Sequence, residues 1–264
     1  MKKRLDLLLV ERGLAASREQ ARSTIMAGLV SVGGQIVDKP GSLVDEGTTP
    51  IVQPAQRYVS RGGLKLEHAL DAFGLHVAGL VAVDIGASTG GFTDCLLQRG
   101  VARVYAVDVG YGQLDWRLRN DPRVVVLERT NVRYLEALPE PVDLAAIDAS
   151  FISLRLVVPA AVRLLRKGGR IVALVKPQFE AGRGRVGKGG VVRDPGVHQE
   201  VLSHLGTWAA KEGYGILRVT TSPIRGPAGN VEFLALMEPG MPNAADLEPQ
   251  VTAALQEATA LQGQ

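Results

Sequence analysis

A single cysteine, Cys95, occurs in 264 residues. An internal disulfide is therefore excluded, one thiolate cannot build a metal site alone, and a reducing cytoplasm is the expected home. Cys95 falls just after a glycine-rich turn, where a small buried residue is the ordinary reading. Aromatic residues are scarce at 5%, which argues against recognition through stacked aromatic platforms. No apolar run approaches the ~18 residues of a membrane helix. The start, Met1-Lys-Lys-Arg-Leu-Asp-Leu-Leu-Leu-Val10, has the outline of an export signal. Asp6 and Glu11-Arg12 break its apolar stretch and no clear cleavage pattern follows, so the chain reads as neither exported nor membrane-spanning. The histidines His68, His76, His198 and His204 show no ligand spacing with cysteine or acids, and no metal is expected.

What is present is a hydrophobic share of 46% and a charged share of 22%, enough to bury a core in one large domain or in one medium and one small domain. The net charge of +3 is unevenly placed. Residues 1 to 63 hold nine Lys/Arg against six acids, and residues 163 to 193 hold nine against Glu180 alone. Two basic regions on a neutral body favour a polyanion as partner.

Leu5 to Arg12 reads as a short helix, and Ser17 caps a second from Arg18 to Met26 that stops at Gly28. Leu29 to Val37 is two apolar runs about Gly33-Gly34, a hairpin signal, and Ile51-Val52 can close a small sheet. Residues 1 to 59 are thus expected to form a small α+β domain, and 60 to 63 a linker within the basic connector Arg57-Tyr-Val-Ser-Arg-Gly-Gly63. From 64 to 242, an opening helix Leu64 to Phe73 is followed by apolar runs at 80 to 85, 103 to 108, 124 to 127, 142 to 148, 170 to 176, 216 to 221 and 231 to 237. These alternate with helical segments, which predicts an α/β fold with a doubly wound, mostly parallel seven-stranded sheet. The last two runs are too close for a crossover helix and should pair antiparallel. Residues 243 to 264 read as a tail or a surface helix.

Asp84-Ile-Gly-Ala-Ser-Thr-Gly-Gly-Phe-Thr-Asp94 follows the run Gly79 to Val83 as a glycine turn follows a strand. Glycine there frees the turn and lets a ligand approach the backbone. The spacing differs from G-x-G-x-x-G and lacks the lysine of a phosphate loop, so an adenosyl group without phosphates fits better. Asp108, closing the run from Val104, is placed to accept ribose hydroxyls. Asn131 is open to two readings, the adenine edge or a simple turn. The candidate cofactor set is Asp84, Gly86, Ala87, Ser88, Thr89, Gly90, Gly91, Phe92, Asp108, Val109, Asn131 and Asp148. Asp148 and Lys176 end strand runs, Glu232 begins the antiparallel one, and Lys65 sits on the opening helix. The ligand crevice of such a sheet lies at the strands' carboxyl ends, so these residues should converge there.

Several motifs carry a family resemblance. Arg4-Leu-Asp-Leu-Leu-Leu-Val, Ser17-Arg-Glu-Gln-Ala-Arg22 and Gly28 to Val37 resemble an S4-type RNA-binding module. In it Arg4, Arg18 and Arg22 would face structured RNA, joined by Arg57 and Arg61 of the connector. The order Lys65, Asp148, Lys176, Glu232 resembles the Lys-Asp-Lys-Glu tetrad of FtsJ-type ribose 2′-O-methyltransferases. With Arg61-Gly-Gly-Leu-Lys65, Asp108-Val-Gly-Tyr-Gly-Gln-Leu, Asp148-Ala-Ser-Phe-Ile-Ser153, Lys176-Pro-Gln-Phe-Glu180 and Gly187-Lys-Gly-Gly-Val-Val-Arg-Asp194, the chain is similar to the TlyA (hemolysin A) family. The resemblance implies a Rossmann-like class I methyltransferase domain and S-adenosyl-L-methionine as donor. It also implies 2′-O-methylation of cytidine in ribosomal RNA, free or within ribosomal subunits. Three other readings compete: a lytic protein, which needs an inserting segment that is not found; a non-catalytic RNA-binding assembly factor; and a methyltransferase for protein or small molecules, which leaves the amino-terminal module unexplained. The oligomeric state is not legible.

Overall fold

The structure, a computed structural model, describes residues 2–26, 28–52 and 57–262, and divides into two compact units, Met1–Arg57 and Tyr58–Gln264. The first contains β1 (Lys2–Arg4), α1 (Leu5–Glu11), α2 (Arg18–Met26), β2 (Val30–Val32), β3 (Gln35–Ile36), β4 (Leu43–Asp45) and β5 (Ile51–Val52). Ser17 accepts from Gln20 N while Gln20 Oε1 accepts from Ala16 N, a reciprocal cap that starts α2. Gly33 and Gly34 have φ of +60° and +81°, the left-handed pair that a two-residue hairpin needs. The sheet order is β3-β2-β5, while β1 and β4 pair separately. That second pairing went unread in the sequence, because each strand is three residues long. The fully buried Leu5, Leu9, Ala21, Ile25 and Val30 form this unit's core.

The second unit runs α3 (Gly62–Ala72), β6 (Val81–Ile85), α4 (Gly91–Gln98), β7 (Arg103–Val107), α5 (Trp116–Arg119), β8 (Val124–Leu127), β9 (Val142–Ile147), α6 (Leu154–Leu164), β10 (Leu165–Val175), α7 (Pro177–Glu180), α8 (Pro195–Glu212), β11 (Tyr214–Thr221), β12 (Phe233–Pro239) and α9 (Leu247–Gln262). Its sheet has the order β11-β12-β10-β9-β6-β7-β8. β12 pairs antiparallel to both β10 and β11, and the other pairings are parallel. The chain leaves β6 toward β7 and β8, then returns to its other side at β9. That reversal is the switch point at which such sheets open a crevice.

Alternating side chains feed two cores. Val83 and Ile85 join Val157, Ala161 and Leu205 on one face, and Ala82 joins Leu66, Leu70 and Leu96 on the other. The same period sends Asp84 toward α4. One expectation is corrected here and one open reading is narrowed. Gly62 and Gly63, read as linker, form the first turn of α3, with Gly63 packed on Tyr58 so closely that a Cβ would overlap its ring. Residues 247 to 262 are a helix that buries Val251, Ala254 and Ala258 against the core. No helix among the described residues is long and apolar enough to cross a membrane.

Candidate active site

Asp108, Asp148, Lys176 and Glu232 each stand one residue outside the strand that the sequence assigned them to. The backbones of Asp108, Asp148 and Glu232 still make a last inter-strand bond: Asp108 N donates to Leu127 O, Asp148 N to Ile85 O, and Ser222 N to Glu232 O. Just past that bond the chain is free to turn its side chain into the crevice. Val175 pairs with Phe233 across β10 and β12, so Lys176 and Glu232 follow as neighbours on the same edge.

Two ion pairs assemble there. Lys65 Nζ bonds Glu232 Oε2, both side chains buried, at 7% and 1% exposure. Lys176 Nζ lies 2.6 Å from Asp148 Oδ1 and donates to Ser150 Oγ at 2.9 Å. The two pairs are linked through the start of α3, because a Cβ on Gly62 would lie 3.7 Å from Asp148 Oδ2. Gly226 approaches Glu232 closely, since a Cβ there would sit 2.5 Å from Oε1. Arg61 holds the same loop through a 2.6 Å bond to Arg225 O. In the same loop, Asn230 Oδ1 accepts from Val192 N and its Nδ2 donates to Gly190 O, both at 2.9 Å. The glycine-rich segment after α7 is thereby fastened beside the site.

Next to the Lys176 pair, a cleft of about 450 Å³ opens between the ends of β6, β7 and β9, lined in part by Gly86, Ser88, Asp108, Val109, Asn131 and Asp148. Gly86 has φ +87°, and a Cβ on it would meet Asp148 O at 2.7 Å, so glycine is required both for the turn and for the approach of the two strand ends. Asp108 is fixed by two backbone amides, Ser88 N at 2.8 Å to Oδ2 and Gly110 N at 2.6 Å to Oδ1. Each oxygen keeps a lone pair for a diol. Asn131 has the turn role, capping Val132–Tyr134 by accepting from Arg133 N, and it also lines the cleft.

The remaining candidates from the glycine turn do not line this cleft. Ala87 and Phe92 are buried in the core with Leu114 and Leu118. A Cβ on Gly90 would overlap Leu118, and one on Gly91 would overlap Ser60. Thr89 is exposed, its carbonyl accepting from Asp115 N. These residues shape the turn from behind. Conversely Gln113, Thr130, Ser150 and Phe151 line the cleft unforeseen. Gln113, Ser150 and Phe151 do lie inside the quoted motifs, five positions after Asp108 and two and three after Asp148, which is the signal that could have found them.

Asp84 is fully buried, with Oδ2 accepting from Thr93 N at 2.9 Å and Thr93 Oγ1 at 2.7 Å and Oδ1 unpartnered. Burial, with Asp148 and Asp108 adding smaller repulsion, pushes its pKa from 3.8 up to about 7. A carboxyl raised in this way binds its proton more tightly folded than unfolded. Stability of the second unit should therefore fall as pH rises from about 4 to about 7 and level off above. Asp84→Asn keeps an acceptor for Thr93 and is expected to flatten that fall in denaturant titrations across this range. An undiminished slope would assign it to other groups.

In the first unit Arg4 Nη2 and Arg18 Nε lie 2.9 and 3.1 Å from Oδ2 of the buried Asp6. Their hydrogen bonds hold that carboxyl down at about 2 against the penalty of burial. The two guanidinium groups are thus tied to one anchor but remain about half exposed. Arg22 and Arg57 are exposed.

Comparison with known proteins agrees with this geometry. Residues 58–238 match the FtsJ-like methyltransferase model and residues 3–49 the S4 domain model. The Bacillus subtilis protein YqxC, named as a candidate rRNA methyltransferase, is 54% identical over 240 residues, covering 88% of this chain and 84% of its own. The 16S/23S rRNA (cytidine-2′-O)-methyltransferase TlyA of Mycobacterium tuberculosis is 51% identical over 234 residues, 87% of each chain. A solved structure from Streptococcus thermophilus, described as a candidate hemolysin, superposes with a TM-score of 0.75 at 45% identity, covering 100% of this chain and 99% of that one. The chain belongs to the FtsJ-like methyltransferase family and carries an S4 domain ahead of its methyltransferase domain.

Proposed function

We propose that this protein transfers a methyl group from S-adenosyl-L-methionine to the ribose 2′-hydroxyl of cytidine in ribosomal RNA, with the S4 domain holding structured RNA. The observation that carries this reading is the pair of lysine–carboxylate contacts at the rim of the cleft, the buried Lys65–Glu232 and the partly buried Lys176–Asp148. The donor set suits the nucleoside end of S-adenosyl-L-methionine: the Asp108 carboxylate for the ribose diol, Asn131 for a base edge, and Gly86 and Ser88 at the turn. When bound, it supplies an electrophilic methyl carbon on a sulfonium.

The chain's residues then have separate tasks. A ribose hydroxyl is a weak nucleophile until its proton leaves, and Lys176 is the base that takes it. Asp148 orients that amine and compensates the charge it gains. Lys65, held by Glu232, positions the hydroxyl and stabilises developing negative charge on its oxygen. Alignment of the groups in a fixed geometry can be worth ~7 to 11 kcal/mol of the barrier.

The test is transfer of labelled methyl from S-adenosyl-L-methionine to ribosomal RNA or subunits, with the labelled nucleotide mapped. Label on protein alone, or on a base instead of a ribose, would overturn the reading. For the RNA partner, Arg18→Ala with Arg22→Ala should weaken binding and reduce the slope of log affinity against log salt by roughly 1.5 units. An unchanged slope would remove these arginines from the phosphate contacts.

A further inference from the structure

We propose that Ser150 is a positioning residue for Lys176, fixing the direction in which its amine meets the reacting hydroxyl. The inference rests on Lys176 being the base and goes one step beyond it. A lysine amine turns freely on a four-carbon stem, and one partner fixes its distance without fixing its rotation. Here two different contacts act at once: an ion pair with Asp148 Oδ1 at 2.6 Å, whose geometry is not that of a hydrogen bond, and a hydrogen bond donated to Ser150 Oγ at 2.9 Å. The carboxylate sets the distance of the amine, and the directional bond to Ser150 sets its rotation. A hydroxyl also orients the amine without adding a second negative charge beside it.

Ser150 is itself held from both sides. Before it, Asp148 N donates to Ile85 O at 2.9 Å. After it, Glu180 accepts from Ser153 Oγ and from Leu154 N, each at 2.7 Å. Glu180 ends α7, which starts directly after Lys176, so one carboxylate staples the loop bearing Ser150 to the segment bearing the base. Between these ties Phe151 has φ +63°, a left-handed conformation that a side chain of this size adopts only when its surroundings impose it. Ser150 also lines the cleft, so the residue bonded to the base borders the pocket.

The experiment measures single-turnover methyl transfer, S-adenosyl-L-methionine affinity, RNA affinity and thermal midpoint in Ser150→Ala and Ser150→Thr. Ser150→Ala should slow transfer roughly tenfold, the scale of one hydrogen bond to a charged group, with both affinities and the midpoint unchanged. Ser150→Thr keeps the hydroxyl and should recover most of the rate. A wild-type rate in Ser150→Ala, measured beside an inactive Lys176→Ala, would overturn the role of Ser150 and leave the base assignment standing. Loss of cofactor affinity in proportion to the rate would overturn it too, by making Ser150 a wall of the cleft. Full activity in Lys176→Ala would instead remove the base, and this inference with it.

Discussion

Lys176→Ala is expected to lower single-turnover methyl transfer by roughly 10²- to 10⁴-fold, the range a positioned base contributes, while S-adenosyl-L-methionine still binds. Binding should survive because Lys176 is not among the residues lining the cleft, whose walls come from β6, β7 and β9. Lys176→Arg sharpens the result. A guanidinium can keep the contact with Asp148 yet stays protonated throughout the usable pH range, so it cannot accept the ribose proton. If Lys176 acts as base, arginine should be nearly as inactive as alanine. If Lys176 contributes only its charge, arginine should retain much of the rate. Equal labelling of RNA by wild type and Lys176→Ala would end the mechanism proposed above.

Glu232→Ala should act on stability as well as activity. It strips the partner from Lys65, whose side chain is 7% exposed. Leaving one buried charge unpaired costs about 3 to 5 kcal/mol. Lys65→Met leaves Glu232, at 1% exposure, in the same position and should be at least as damaging. The informative variant is the double one, Lys65→Met with Glu232→Leu. Replacing both members with apolar groups of similar size removes the unpaired charge, so denaturant stability should return toward wild type while methyl transfer stays lost. A double variant that is both stable and active would make the pair structural. One as unstable as either single variant would mean that packing around Gly226, not charge, decides the outcome.

Much of this was legible in the chain because the relevant residues obey short rules. Gly33-Gly34 announces a hairpin by demanding positive φ, and the runs at 124 to 127 and 142 to 148 announce strands by length and branching. The convergence of Asp148, Lys176 and Glu232 followed from strand polarity, whereas Lys65, on a helix, was reached through the family resemblance. The unread parts depend on distance in sequence or on direction in space. Pairing of Lys2–Arg4 with Leu43–Asp45 joins two runs too short to carry a period. Nothing in Arg4 and Arg18 taken singly indicates that both close on Asp6. Phe92 sits beside the glycines, but its place on the first turn of α4 aims it into the core and not at the cleft. Ser150 was visible as a letter in a motif, but its bond to Lys176 depends on how a loop of positive φ is folded.

The antiparallel strand β12 has a consequence in the order of synthesis. It is the last strand made, yet it lies between β10 and β11 and not at an edge. Until residues 233 to 239 leave the ribosome, β10 and β11 each lack a neighbour, and unpaired strand edges are the surfaces on which nascent chains associate wrongly. The same insertion delivers Glu232 to Lys65. A chain interrupted between α8 and Glu232 therefore carries the glycine turn, the cleft walls and the Lys176–Asp148 pair but lacks the partner of Lys65, so the site stays half assembled.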